Sequence, residues 1–226
     1  MARSVYKGLK AGILVVVLSL VSWAGVQWLT RSQPMTIEEA GVIVTADRVI
    51  PERIVLGGDQ PVRLYIANVS GRKSVTVIIP TDEPQKVEAE TGQSAAVELK
   101  GRALRMLDGR KLTVEGGPGE AVFEVRAPGA KEESVTPATD IAVVMCDACA
   151  APKVIRLKRG VAVTLWVTKT ASDVSSDRFQ CDELGVVAEV TDGQVTKVQL
   201  KPESIGEFTF YGTVTPDSRV VIQVVD

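Results

Sequence analysis

Residues 61–68 read PVRLYIAN and residues 161–168 read VAVTLWVT. In the first stretch Val62, Leu64 and Ile66 alternate with Arg63 and Tyr65; in the second Val161, Val163, Leu165 and Val167 keep the same rhythm. A period of two puts every second side chain on one face of a pleated strand, so each stretch has one apolar face and one mixed face. Outward from them, beginning near Gly41, the chain is a series of short apolar alternations broken by Gly, Pro and Asp-Gly. No long stretch repeats every 3.6 residues, as a packed helix would require. The expected fold class is all-β.

The two stretches also belong to a longer echo. Pro51, Ile54, Leu56, Val62, Leu64 and Ile66 are matched at a constant spacing of 101 by Pro152, Ile155, Leu157, Val163, Leu165 and Val167. The same spacing carries Val42 onto Val143, and Val97 and Leu99 onto Val198 and Leu200. A spacing held over more than fifty residues marks an internal repeat, and each copy is long enough for one β-sandwich. The expected domains are residues 41–126 and 140–226. Between them RAPGAKEESVTPAT (126–139) has Pro, Gly and charge without periodicity, and residues 127–139 read as an exposed linker.

The beginning of the chain is different. Residues 1–30 contain no Asp or Glu, carry Arg3, Lys7 and Lys10, and run almost unbroken through AGILVVVLSLVSWAGVQWL from Ala11 to Leu29. Nineteen residues at about 1.5 Å each make a helix of roughly 28 Å, close to the hydrocarbon thickness of a bilayer. Trp23 and Trp28 sit towards one end, where an interfacial aromatic belt would lie, and no convincing small-x-small cleavage site follows. Residues 11–29 are therefore expected to be a retained transmembrane helix inserted in the lipid bilayer, with residues 1–10 in the cytoplasm and 30–40 a short stalk. The positive-inside rule places everything after Arg31 on the outer side, periplasmic or extracellular.

Composition narrows the chemistry. With 226 residues and no histidine, the chain has no Ser-His-Asp or Cys-His system, no imidazole proton transfer and no imidazole metal ligand. A net charge of -2 gives no basic field for nucleic acid. Adjacent carboxylates such as Glu38-Glu39 or Asp182-Glu183 point to opposite sides of an extended chain and do not form an acid–base pair. No enzyme activity, no nucleic-acid partner and no small-molecule ligand are expected. Asn68-Val-Ser70 fits a glycosylation acceptor but closes an expected strand, and GGPGE (116–120) reads as a hairpin turn.

The run from Pro152 through Ile155, Leu157, Gly160 and Val163-Leu165-Val167, then SSDRFQCDELGV (175–186), KVQLKPESIGEFTFYG (197–212) and VVIQVV (220–225), resembles the cupredoxin-like β-sandwiches of exported bacterial proteins. GVIVTADRVIPERIVL (41–56) extends the resemblance to the first copy. It implies two tandem Greek-key cupredoxin-like domains. It also implies copper, held by a cysteine thiolate in the loop after the Phe-x-Phe strand and by histidines. Here the thiolate position after Phe208-Thr-Phe210-Tyr211 is Gly212, and the loop TVTPDSR (213–219) offers only Asp217 as a ligand. No cofactor is expected.

All three cysteines lie in the second copy, as Cys146-Asp-Ala-Cys149 and Cys181. Outside the cytoplasm thiols end mostly as disulfides. Cys181 reads as a loop residue after the third strand region, and a bridge from it to Cys149 or Cys146 is the expected pairing. The alternatives are a local Cys146–Cys149 bridge, a soft-metal site of three thiolates with Met145 or Asp147 nearby, and a free or intermolecular thiol. The function expected from these features is a non-catalytic, membrane-anchored scaffold that binds subunits of a larger membrane protein complex. By analogy of fold the host is a respiratory or a photosynthetic, reaction-centre and light-harvesting, assembly. The alternative is copper or thiol handling through Cys146, Cys149 and Cys181.

Overall fold

The computed structural model describes residues 37–117, 119–127, 139–146, 149–170 and 175–226. The expected membrane helix over 11–29, with Trp23 and Trp28, and most of the expected linker lie outside the described residues. Among the described residues no helix is long and apolar enough to cross a membrane.

The first sandwich is built from β1 (Glu38–Val44), β2 (Val49–Ile50), β3 (Arg53–Leu56), β4 (Val62–Asn68), β5 (Ser74–Ile79), β6 (Gln85–Glu90), β7 (Ser94–Leu99), β8 (Lys111–Val114) and β9 (Glu120–Val125). A single helical turn, α1 (Gly101–Arg105), joins β7 to β8. The second contains β10 (Asp140–Cys146), β11 (Cys149–Ala151), β12 (Val154–Lys158), β13 (Val163–Lys169), β14 (Ser176–Cys181), β15 (Val186–Thr191), β16 (Val195–Leu200), β17 (Gly206–Gly212) and β18 (Arg219–Val225). β1 starts inside the stretch expected to be stalk, because Glu38 and Glu39 pair in parallel with Val62 and Arg63.

The sheet orders repeat. The first sandwich has β2-β1-β4-β7 facing β3-β9-β8-β5-β6, and the second has β11-β10-β13-β16 facing β12-β18-β17-β14-β15. Replacing each strand of the first sandwich by its counterpart in the second turns one description into the other; the spacing of 101 shortens from β8 onward, to 99 at β9, where Val122 matches Val221. Even the bridge Asn68↔Thr91 recurs as Lys169↔Asp192, and the cis bonds Ile50-Pro51 and Ala151-Pro152 fall on equivalent positions.

The alternation seen in the sequence fills each core. Val62, Leu64 and Ile66 join Val42, Ile54, Leu99 and Phe123 in the first, and Val163, Leu165 and Val167 join Phe179, Phe210 and Ile222 in the second. Each such side chain contributes on the order of 1.5–3 kcal/mol when fully buried.

The other face of β4 and β13 is not solvated. Ile43, Ile50, Ala67, Ala142 and Val144 are buried in a third cluster, with Tyr65, Val69, Trp166 and Val195 packed on it. This cluster joins the sheet of β1 and β4 to that of β10 and β13, so four sheets stack in order with the two joined sheets in the middle. The contact brings equivalent residues together: Ile43 matches Val144, and Tyr65 matches Trp166, at the repeat spacing. A Cβ on Gly193 would lie 3.9 Å from Cα of its equivalent Gly92. The interface is therefore isologous, the arrangement of a two-fold dimer made within one chain. Tyr65, on the mixed face of β4, is half-buried here.

Candidate functional site

The loop end of the second sandwich, where the resemblance places copper, is organised by a carboxylate. β14 reads SDRFQC, and its inward register carries Asp177, Phe179 and Cys181. Phe179 and Phe210 stack with ring centroids 4.9 Å apart, filling the core just beneath the loop. Asp177 follows the same inward register at the strand's start and is 4% exposed. Its Oδ1 accepts from Val214 N at 2.8 Å, Arg178 N at 2.7 Å and the Thr213 hydroxyl at 3.1 Å. Its Oδ2 accepts from Thr215 N at 3.0 Å and the Thr215 hydroxyl at 2.6 Å. Burial pushes this carboxyl up, but the bonds from Thr215, Val214 and Arg178 outweigh burial and hold it at about 2.

Gly212 ends β17 against this cluster. A Cβ there would sit 2.4 Å from Asp177 Oδ2 and 2.5 Å from Thr215 Oγ1, distances no packed carbon tolerates. The room that a cysteine side chain would need at the thiolate position is thus filled by a carboxylate and a hydroxyl.

The adjoining hairpin holds two of the cysteines. β10 and β11 pair antiparallel, with Val144 opposite Ala151, Met145 opposite Ala150 and Cys146 opposite Cys149. Cys146 and Cys149 are joined in a disulfide with Cα atoms 5.0 Å apart. The Ser218 hydroxyl, at the end of the loop, lies against the carbonyl oxygens of both cysteines, 3.0 Å from that of Cys149. Ser218 is fully buried, so this hydroxyl fastens the hairpin to the loop that Asp177 holds.

The expected bridge from Cys181 to Cys149 or Cys146 is not made. Cys181 is not in a loop: it closes β14, buried in the core of the opposite sheet, and its thiol donates to Glu183 Oε2 at 3.3 Å. Burial pushes its pKa up, with the Glu183 carboxylate adding to the rise. Met145, expected near a soft metal, is fully buried in the hydrophobic core. Among the described residues no three Cys, Asp or Glu side chains cluster as metal ligands would.

The first sandwich shows how the same hairpin closes without sulfur. At the spacing of 101, Cys146 and Cys149 fall on Thr45 and Arg48. There Thr45 N donates to Arg48 O at 2.9 Å, the Thr45 hydroxyl lies 2.9 Å from the same oxygen, and Arg48 N donates to that hydroxyl at 3.1 Å. The Arg48 guanidinium then lies over the Trp166 ring of the second sandwich at 4.7 Å, with Lys197 at 5.1 Å. Trp166 Nε1 donates to Asp140 at 2.7 Å, and a cavity of about 300 Å³ opens beside these side chains.

Residues 122–224 match the family model described as cupredoxin-like domain. The second sandwich is a cupredoxin-like domain. The matched span begins in β9 of the first sandwich, which repeats the cupredoxin-like strand order of the second. No curated protein matches the chain. Among solved structures, the chain is similar to the Cu(I)-bound metal-binding domain of a Cu(I)-exporting P-type ATPase of Streptococcus pneumoniae D39, at 14% identity and TM-score 0.36, over 41% of this chain and 92% of that one. It is similar to the periplasmic domain of cytochrome oxidase subunit II of Bradyrhizobium japonicum, at 13% identity and TM-score 0.32, over 41% and 88%. It is also similar to a copper nitrite reductase of Nitrosomonas europaea, at 7% identity and TM-score 0.34, over 84% and 95%.

The residues present do not fit the copper that cupredoxin-like domains imply. The chain has no imidazole, and the thiolate position is a glycine whose side-chain space is occupied. Asn68 likewise does not serve as a glycan acceptor: it is fully buried, and its amide donates to Ala89 O at 3.0 Å and Arg72 O at 3.1 Å. Asp177, Thr215 and Ser218 are not singled out by any motif. The signal for Asp177 is its register, a carboxylate two residues before Phe179 on the core-facing side of a strand.

Proposed function

We propose that the chain is a non-catalytic, membrane-anchored scaffold subunit that presents two fused cupredoxin-like sandwiches to a larger membrane assembly on the outer side of the bilayer. The observation that carries this reading is the filled position at Gly212, where Asp177 and Thr215 occupy the space of a copper thiolate. A loop that elsewhere exchanges electrons is here locked by five hydrogen bonds to one carboxylate, which favours a rigid surface over a reactive one. The apolar run from Ala11 to Leu29 supports the anchor, and the apolar cluster between the sandwiches supports a single stiff body. The host is a respiratory or photosynthetic complex by analogy of fold.

The test is extraction of the tagged full chain from its native membranes in a mild detergent, followed by native electrophoresis and mass spectrometry of the bands. Co-migration with one set of integral membrane proteins at fixed stoichiometry is expected. Migration of the chain alone at its own mass overturns the reading.

A further inference from the structure

The Cys146–Cys149 bridge spans a turn that the fold closes elsewhere without it. In the first sandwich Thr45 and Arg48 close the equivalent hairpin by hydrogen bonds alone. In the second, the pairs Val144↔Ala151 and Met145↔Ala150 and the Ser218 hydroxyl hold the hairpin through atoms other than sulfur. None of these contacts runs through a sulfur atom. Closing a four-residue turn also removes less chain entropy than any longer loop, so the bridge is placed where it stabilises least. Both cysteines are half-buried rather than enclosed. The third thiol, Cys181, sits in the core of the opposite sheet with its ionisation suppressed by burial, which keeps it out of exchange.

We propose that Cys146 and Cys149 form a reversible redox site whose substrate is a dithiol. In the forward direction a thiolate of the dithiol attacks one sulfur of the pair. An intermolecular S–S bond forms, the Cys146–Cys149 bond breaks, and the departing sulfur leaves as a thiolate that takes up a proton. The second thiol of the substrate, losing its proton, then attacks its own sulfur in the mixed disulfide and releases the remaining cysteine. Two electrons and two protons pass to the protein, and the substrate leaves as a disulfide. The hairpin stays folded throughout, tied to the loop by Ser218, so the surface around Cys146 and Cys149 changes in sulfur chemistry while the backbone is kept.

The full chain in detergent is incubated, folded, in mixtures of glutathione and glutathione disulfide, then acid-quenched and alkylated, and each cysteine's labelling is read by peptide mass. Circular dichroism and melting follow the same samples. Cys146 and Cys149 are expected to take label together as the square of glutathione over its disulfide rises, to close again when the ratio is reversed, and to leave Cys181 unlabelled. The melting temperature is expected to fall by no more than about 8 °C. A bridge that stays shut until denaturant unfolds the protein is a structural staple, and that result overturns the proposal. Loss of the folded spectrum on reduction, or in the variant Cys146→Ser/Cys149→Ser, overturns it equally.

Discussion

Asp177, buried, and Glu38, half-buried, are carboxyls whose environments push in opposite directions. Asp177 is held at about 2 by bonds that overcome its burial. The unfolded carboxyl titrates near 3.9, so the unfolded chain binds the proton more readily, and stability is full above about pH 5 and lost as the pH falls through 4 towards 2. The difference amounts to about 2–3 kcal/mol. Asp177→Asn is expected to lower stability at pH 7 by about 2–3 kcal/mol, since Asn brings two donors into a site built entirely of donors. Denaturant curves at pH 7 and pH 2.5 check this: the gap to the native protein should be several-fold smaller at the lower pH. For Glu38 burial dominates and raises the pKa, although Gly57 N at 2.8 Å and the charges of Arg126 and Arg156 pull downward. The folded state then binds the proton more tightly, so stability is greatest below the unfolded pKa and declines as the pH rises through the folded one. Glu38→Gln keeps an acceptor for Gly57 and removes the half-buried charge. It is expected to raise the melting temperature at pH 7 and to leave it unchanged at pH 3.5, as calorimetry at the two pH values will read.

At the scale of elements, β1 is the strand on which both faces are committed. Its even positions Val42 and Val44 enter the first core, and Ile43 enters the seam. Gly41, just before them on the seam face with Ile43, has no room for a side chain: a Cβ would lie 2.6 Å from Ala142 O and 3.0 Å from Ala151 O, both backbone atoms. Gly41→Ala must therefore move β1 away from β10 and β11, at a cost of about 1–3 kcal/mol. The expected result is a melting temperature lower by several degrees with the circular dichroism spectrum of each sandwich retained. The strands themselves were legible because alternation and the spacing of 101 act together: β4 and β13, and β7 and β16, lie where the repeat put them. The five-residue α1 left no trace, since one turn is too short to show a period. Cys181 was misplaced because SSDRFQC reads as polar until Asp177 is recognised as an inward residue. The cysteine pairing was open from spacing alone, because three residues apart suits a helical turn or a hairpin. Alignment on the repeat removes that ambiguity, since Thr45 and Arg48 close a hairpin. Its small loop limits the chain-entropy gain of the bridge to about 2 kcal/mol.

For the whole molecule, the seam decides whether the sandwiches behave as two domains or one. Nothing in a strand's period tells whether its second face meets water or another sheet, and Tyr65 and Trp166 are residues that suit either. What the structure adds is the pairing of equivalents across the seam, which a stable dimer of identical domains would also make. Fusion of the two copies supplies the local concentration that separate copies would lack, so a modest seam suffices to keep them docked. Among the described residues the seam is crossed by few polar contacts: Thr170 Oγ1 to Ser94 Oγ at 3.2 Å, Lys153 Nζ to Glu39 Oε1 at 3.6 Å, Arg48 over Trp166, and the charge of Arg156 near Glu38. Its cohesion therefore rests on the apolar cluster, with Ile43 at 0% and Val144 at 1% exposure. Native unfolding is expected as one cooperative calorimetric transition, because opening either sandwich also exposes the other's seam face. Ile43→Asp buries an unpaired charge at the centre of that face, leaves both inner cores untouched, and is expected to split the transition in two. Two transitions in the native protein, or one in the variant at an unchanged temperature, would show that the sandwiches fold independently and that the seam carries little energy.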